Sequence, residues 1–167
     1  MTDIDIRPAR EYARHADDER PLRGYATLMA AYTTAAATVA GVARLTGRRL
    51  PRPTAGDVAL LAVATHKLSR LLTKDAVTSP IRAPFTRFES ADGEGQVNES
   101  PRGHGVKYAL GEMLTCPFCA GVWVASSLSA GLVFAPRLTR FAMTVATAAA
   151  GADFLHLAYA KARKSAS

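Results

Sequence analysis

Residues 113–134 read MLTCPFCAGVWVASSLSAGLVF, a run without a charged side chain. An α-helix rises about 1.5 Å per residue, so this run is long enough to cross the hydrocarbon core of a bilayer. Pro117 stands near its start, where a helix tolerates proline because the first N–H groups have no intrahelical partner. The run predicts a membrane-spanning helix, and its first turn carries the only cysteines of the chain, Cys116 and Cys119.

Three other apolar segments predict further spans, at about 25–43, 57–73 and 138–159. The segment 25–43 is free of charge and rich in Ala and Thr, and small residues let helices pack closely in lipid. Thr54 or Asp57 is expected to cap the second span through a side-chain oxygen. The predicted fold class is therefore all-α: a polytopic helical membrane protein with about four transmembrane helices, or three plus a re-entrant segment.

These spans predict one helical membrane domain over residues 25–161. A polar cytoplasmic tail, 1–24, precedes it and a basic tail, 162–167, follows it. The long connection 75–112 mixes aromatic residues, arginines and prolines, which suits a segment at the membrane interface, and its part 90–105 predicts an exposed loop or hairpin. The residues expected at the interface are Arg82, Phe85, Arg87 and Phe88.

The formal net charge is +7 and the isoelectric point is about 9.8. The basic residues flank apolar blocks and form no stripe with interleaved aromatic residues, which argues against nucleic acid as a partner. Four spans place both termini and the 75–112 connection on one side, and this side carries the larger number of Lys and Arg. The positive-inside rule then predicts a multi-pass protein of the cell membrane with cytoplasmic termini, although the first external loop is itself densely basic.

Ionisable residues of three spans are expected at one depth near the cytoplasmic face. Such groups are costly in a membrane and usually face the bundle interior or a water-filled cavity. Asp153 needs a cationic partner there, and Arg70 or Lys67 is the natural one. Two readings stay open, a structural ion pair and a functional pocket. The predicted polar layer comprises His66, Lys67, Arg70, Glu112, Asp153 and His156.

The spacing of Cys116 and Cys119 is that of a redox motif and resembles the active-site string of glutaredoxin-like proteins. Thiols at a helix start are activated because the helix dipole stabilises the thiolate. The spans and the cysteine pair also resemble quinone-linked disulfide oxidases, which use a second cysteine pair that this chain lacks. A metal site would need two more ligands, and simple packing of small side chains is the remaining alternative. No metal site and no cofactor are predicted.

Three strings together resemble an uncharacterised family of small bacterial and phage membrane proteins, domain of unknown function 1360. They are HKLSRLLTKD at 66–75, RAPFTRFE at 82–89 and GEMLTCPFCAGVWV at 111–124. The resemblance covers about residues 55–160 and implies a membrane location but no activity. The Ala- and Arg-rich composition suggests an actinobacterial source and hence an inner membrane.

The leading functional hypothesis is a non-enzymatic membrane component or partner-binding subunit with a polar cytoplasmic-leaflet layer. The alternatives are a thiol-disulfide membrane oxidoreductase that uses Cys116 and Cys119, and a pathway for a small ion or small molecule. The expected partners are the lipid bilayer and either another protein or a second copy of the chain.

Overall fold

The computed structural model describes residues 21–166, so most of the predicted tail 1–24 lies outside the described residues, as does Ser167 of the tail 162–167. The chain is mostly helical, as predicted, with one small β-hairpin. The elements are α1 (Leu22–Leu45), α2 (Ala55–Thr73), a 3₁₀ turn (Ala76–Thr78), α3 (Ser79–Arg82), β1 (Thr86–Ala91), β2 (Val97–Pro101), α4 (Gly105–Thr115), α5 (Pro117–Phe134) and α6 (Pro136–Ala166).

Helix α2 begins with the cap that the sequence predicts, and both expected residues take part. The backbone N–H of Asp57 donates to Thr54 Oγ1 at 3.2 Å, and the backbone N–H of Thr54 donates to Asp57 Oδ2 at 3.0 Å. This reciprocal capping box satisfies two backbone donors that would otherwise lack partners.

The predicted third span is wrong at its start. The chain leaves the helical conformation at Cys116, with φ −109° and ψ 109°, and thereby separates α4 from α5. A residue that precedes proline is pushed out of the helical region by the proline ring, and Pro117 follows Cys116 directly. Pro117 then begins α5, where its missing N–H costs nothing.

The all-α prediction also needs correction, because part of the 75–112 connection forms a hairpin. Strands β1 and β2 pair antiparallel, with an irregularity between Phe88 and Ser90. The turn between them includes Gly93 and Gly95, both at positive φ, where side chains are disfavoured. Asp75 and Gln96 form a further isolated bridge, which ties the end of α2 to the hairpin.

Helix α2 lies at the centre of the bundle and packs against both α5 and α6. The core where they meet contains Ala64 of α2 and Met143 and Ala146 of α6. Helix α1 packs instead on α4, where a Cβ on Gly24 would lie 2.5 Å from the carbonyl oxygen of Gly105. Only glycine permits that approach.

Within residues 21–166, three helices are long and apolar enough to cross a membrane by length and composition: α1, α5 and α6. Their most apolar windows are 6%, 6% and 17% buried inside the protein, so these helices present their apolar surface outward. Helix α2, the predicted second span, is formed but does not meet the same criterion.

Candidate functional site: a polar cavity at the end of α2

A cavity of about 780 Å³ lies between the C-terminal half of α2, the middle of α6 and the hairpin turn. It brings together five of the six residues of the predicted polar layer, including Lys67 and Asp153, which are 86 residues apart in sequence. The polar residues that line it are His66, Lys67, Arg70, Asp75, Glu94, Gln96, Asp153 and His156.

Lys67 is the partner of Asp153, with Nζ 2.7 Å from Oδ2. The Lys67 side chain is 19% exposed and the Asp153 side chain 52% exposed, so the carboxylate lies at the cavity rim and is not buried as the sequence suggested. Arg70, the other predicted partner, instead donates from Nη2 to Gln96 Oε1 at 2.5 Å. Arg70 thus joins α2 to the hairpin turn.

Glu112 lies apart from the cavity. It sits on α4, and its carboxylate accepts a hydrogen bond from the hydroxyl of Tyr25 on α1. The six residues predicted at one depth therefore lie in two separate regions, the cavity and the contact between α4 and α1. The reason is that α4 packs on α1 and hardly touches α2.

The two cysteines are free thiols at the start of α5, with Cys116 partly buried and Cys119 exposed. Cys116 is the N-cap residue, and its Sγ accepts the backbone N–H of Cys119 at 3.4 Å. Burial raises the pKa of Cys116, but hydrogen bonds from Cys119 and Phe118 and the nearby Lys74 ammonium outweigh it, so the pKa is lowered. In the described part of the chain, no three His, Cys, Asp or Glu side chains come together as metal ligands.

Outside the cavity lining, Arg82 of α3 forms an ion pair with Glu99 of β2. Arg82 Nε lies 2.8 Å from Glu99 Oε2, and Nη2 lies 2.9 Å from Oε1, a bidentate arrangement. The two side chains are 0% and 5% exposed. The guanidinium of Arg82, which the sequence predicts at the membrane interface, is enclosed by protein acceptors.

The same guanidinium holds the end of α2. Arg82 Nη1 donates to the carbonyl oxygens of Leu72 at 2.8 Å and Asp75 at 3.1 Å, and to Thr78 Oγ1 at 2.6 Å. Carbonyl groups at a helix C-terminus lack intrahelical donors, and a buried cation both satisfies them and opposes the helix dipole. We call Arg82, Glu99 and Thr78 the clamp; it fixes the segment from which Arg70 and Asp75 reach the cavity.

The electrostatics of Glu99 fit this enclosure. Burial raises the pKa of its carboxyl, but Arg82 and the hydroxyls of Thr86 and Ser79 lower it more, so the pKa lies below the ordinary value of 4.5. Thr86 Oγ1 donates to Glu99 Oε2 at 2.8 Å. Glu99 is thus a charged, fully hydrogen-bonded anchor.

The other predicted interfacial residues lie on the hairpin and the turn before it. Phe85 is partly buried, whereas Arg87 and Phe88 are exposed, Phe88 to 66%. Sequence reasoning missed Glu99 and Gln96 altogether. For Glu99, the sequence offered one weak signal of the ion pair: it is the acid of an otherwise neutral strand, and Arg82 precedes it by 17 residues.

Chemically, the cavity offers a cation–carboxylate pair, an arginine, two imidazoles and two further acids to an occupant. Such a set recognises polar or charged groups by hydrogen bonding and ion pairing. The Asp153 carboxylate, which the pair leaves half exposed, is available to an occupant.

Residues 60–159 match a family model described as protein of unknown function (DUF1360). The chain is 36% identical over 74 residues to sporulation protein YjcA of Bacillus subtilis (strain 168), and 35% identical over 82 residues to UPF0713 protein YngL of the same organism. The matched regions are 42% and 47% of this chain and span 63% and 59% of those relatives, less than two thirds of either. No solved structure matches.

Proposed function

We propose that this chain, which belongs to the DUF1360 family of proteins of unknown function, is a non-enzymatic membrane component that binds a protein partner at the polar cavity. In this proposal α1, α2, α5 and α6 span the cell membrane, the termini and the hairpin are cytoplasmic, and the partner is another protein or a second copy. The supporting observation is the half-exposed carboxylate of Asp153 at the rim of this polar cavity.

The exposed apolar surface supports the membrane location. Met29, Leu138 and Phe141 are 68%, 69% and 67% exposed, and lipid would cover them at no cost. Helix α2 carries charges, yet it suits a fourth span because α5 and α6 flank it and its charged end faces the cavity. A helix in the middle of a bundle does not need an apolar surface all round.

The C-terminal part of α6 supports the partner site. Every residue from Gly151 to Ala166 is exposed, although the first half of the same helix packs into the core. Phe154 and Leu157 line the cavity next to Asp153. A partner segment with one cationic and several apolar side chains would pair its cation with Asp153 and bury Phe154 and Leu157 under its apolar side chains. An apolar interface core with a charged anchor has this composition.

A photo-crosslinking amino acid in place of Leu155, which is 72% exposed, tests this proposal in intact membranes. The matched control is the same substitution at Leu138, 69% exposed at the other end of α6. We expect a protein adduct of one defined mass at position 155 and none at position 138. The adduct at position 155 should disappear when the same chain also carries Asp153→Asn. An adduct at twice the chain's mass identifies a second copy as the partner.

Adducts with lipid alone at both positions would overturn the partner site. If reconstituted vesicles then pass small ions in a manner that Asp153→Asn abolishes, the ion-pathway hypothesis replaces it. The name of one relative, sporulation protein YjcA, makes cells entering sporulation a suitable setting in a host that sporulates.

A thiol-disulfide oxidoreductase is a second candidate, favoured by the lowered pKa of Cys116 and the exposure of Cys119. The two thiols would give two electrons and two protons to a partner disulfide, which leaves a Cys116–Cys119 disulfide here and two thiols on the partner. Cys119→Ser should then trap a mixed disulfide on Cys116, whereas Cys116→Ser should not. Absence of any trapped species from Cys119→Ser would contradict this candidate.

A further inference from the structure

A second cavity, of about 650 Å³, opens between α1, α2 and α5 at the end of the bundle opposite the hairpin. We call it the apolar groove. Its volume falls within the range of about 300–1,000 Å³ that small-molecule sites occupy. The side chains that dominate its wall are Ala35, Val39, Leu61, Ala130, Leu132 and Val133.

The groove forms because α1 contacts α5 at Tyr32, and the small residues that follow in α1 leave space between the two helices. At that place the hydroxyl of Tyr32 lies 2.8 Å from Ser126 Oγ, and the Tyr32 ring packs edge-on against Trp123 with centroids 5.3 Å apart. Beyond Tyr32, α1 turns Ala35 and Ala36 toward the opening, and neither methyl group fills it. The two polar groups at the inner end satisfy each other, so the groove favours hydrocarbon over a peptide backbone.

The mouth of the groove is basic. The mouth is lined by Leu50, Pro51 and Pro53 of the loop after α1. Arginines precede Leu50 in the sequence and separate the two prolines. Within residues 21–166, none of these arginines forms an ion pair with an acid. The four arginines of this loop region are Arg44, Arg48, Arg49 and Arg52.

Two contacts locate charged side chains at the groove, one made by Arg48 and one by Asp57. Arg48 Nη1 reaches the carbonyl oxygen of Phe134 at 3.5 Å, so it bridges the mouth from the loop to the end of α5. Asp57, the acid that lines the groove, is already paired with Arg140 at 3.0 Å. Arg48 therefore lies at the mouth, and Arg49 and Arg52 adjoin its lining residues in the chain, each without an acidic partner within residues 21–166.

We propose that the apolar groove binds one acyl chain of an anionic phospholipid, whose phosphate is held by Arg48, Arg49 and Arg52. Hydrocarbon fills the apolar wall, and the guanidinium groups hydrogen-bond the phosphate as planar donors. This inference rests on the proposed membrane location but not on the partner site. It also gives a role to the basic residues of the first external loop, which run against the positive-inside distribution.

The single tryptophan of the chain, Trp123, lines the groove and serves as the probe. Detergent-solubilised protein is titrated with phosphatidylglycerol or phosphatidylcholine carrying brominated acyl chains, which quench indole fluorescence on contact. We expect saturable quenching with an affinity at least about fivefold higher for phosphatidylglycerol. Both lipids carry a phosphate, but the choline cation of phosphatidylcholine offsets its attraction to the arginines, and the attraction of one arginine to a net anionic headgroup is worth about that factor.

The variant Arg48→Gln/Arg49→Gln/Arg52→Gln should lose this preference. The charge-matched control is Arg87→Gln/Arg102→Gln/Arg163→Gln, exposed arginines outside the groove, and it should keep the preference. Ala36→Phe, which fills the groove, should abolish saturable quenching by both lipids.

Equal quenching by the two lipids, quenching that rises linearly without saturation, or a preference that survives in the Arg48→Gln/Arg49→Gln/Arg52→Gln variant would each overturn the lipid site. These failures leave the membrane location standing. A protein that is monodisperse without detergent would instead contradict the proposed membrane location itself.

Discussion

Substitution of Glu99 by glutamine tests how the clamp holds the end of α2. The change keeps the size of the side chain and removes its charge, so Arg82 keeps its position but loses its counter-ion. The glutamine NH₂ group would also face the guanidinium donors, where only an acceptor is useful. Removal of one partner from a buried ion pair costs about 3–5 kcal/mol, because the other charge is left uncompensated.

The full value applies here because water can replace little of the lost interaction. The Arg82 side chain is 0% exposed and Glu99 is 5% exposed. For a chain of this size, a melting temperature shifts by about 2–4 °C per kcal/mol, so the variant should melt about 6–20 °C lower. Helical circular dichroism followed against temperature in detergent measures this shift.

Glu89→Gln is the matched control. Glu89 lies on β1 in the same hairpin, is exposed, and accepts a hydrogen bond from the hydroxyl of Ser100. Its loss should change stability by no more than about 0.5 kcal/mol. If Glu99→Gln melted within 2 °C or so of Glu89→Gln, the clamp would not be a buried ion pair and the reasoning would be refuted.

The lowered pKa of Glu99 also makes stability depend on pH: its contribution is complete above the unfolded value of about 4.5 and is lost as the pH falls through the lower folded value. Urea unfolding from about pH 7 to about pH 3 should therefore show a smaller acid loss in Glu99→Gln than in the wild type, and equal losses would contradict the assignment. A double-mutant cycle of Lys67→Met and Asp153→Asn should give a coupling of about 0.5–1 kcal/mol, since Asp153 is half exposed; strictly additive losses would show that the two are not partners. A membrane-impermeant maleimide should label Cys119 in Cys116→Ser only from the cytoplasmic side, and labelling from outside intact cells would reverse the proposed topology.

The helices could be predicted because charge-free runs, caps and prolines act locally. The run 25–43 lies within α1, and Thr54 and Asp57 mark the start of α2 within a few residues. The break at Cys116 was also available in principle, because proline restricts the residue before it. The apolar character of 113–134 outweighed that local signal in the prediction.

The site was only half predictable. Helical geometry placed Lys67 and Asp153 at one depth, and the structure pairs them. The clamp depends instead on how the 75–112 connection folds back on α2, and a single sequence does not show which acid an arginine meets after such a turn. Arg82 therefore looked like one of several interfacial arginines, and Glu99 carried no signal of burial.

The clamp has a consequence for the biosynthesis of the protein. All its partners lie between residues 71 and 99, so it can close while α5 and α6 are still unsynthesised. Lys67 has no such local partner, because Asp153 follows it by 86 residues. At about 5–20 residues per second, Asp153 is synthesised about 4–17 s after Lys67, and the clamp can hold the end of α2 for about the last 3–11 s of that interval, once Glu99 has been made.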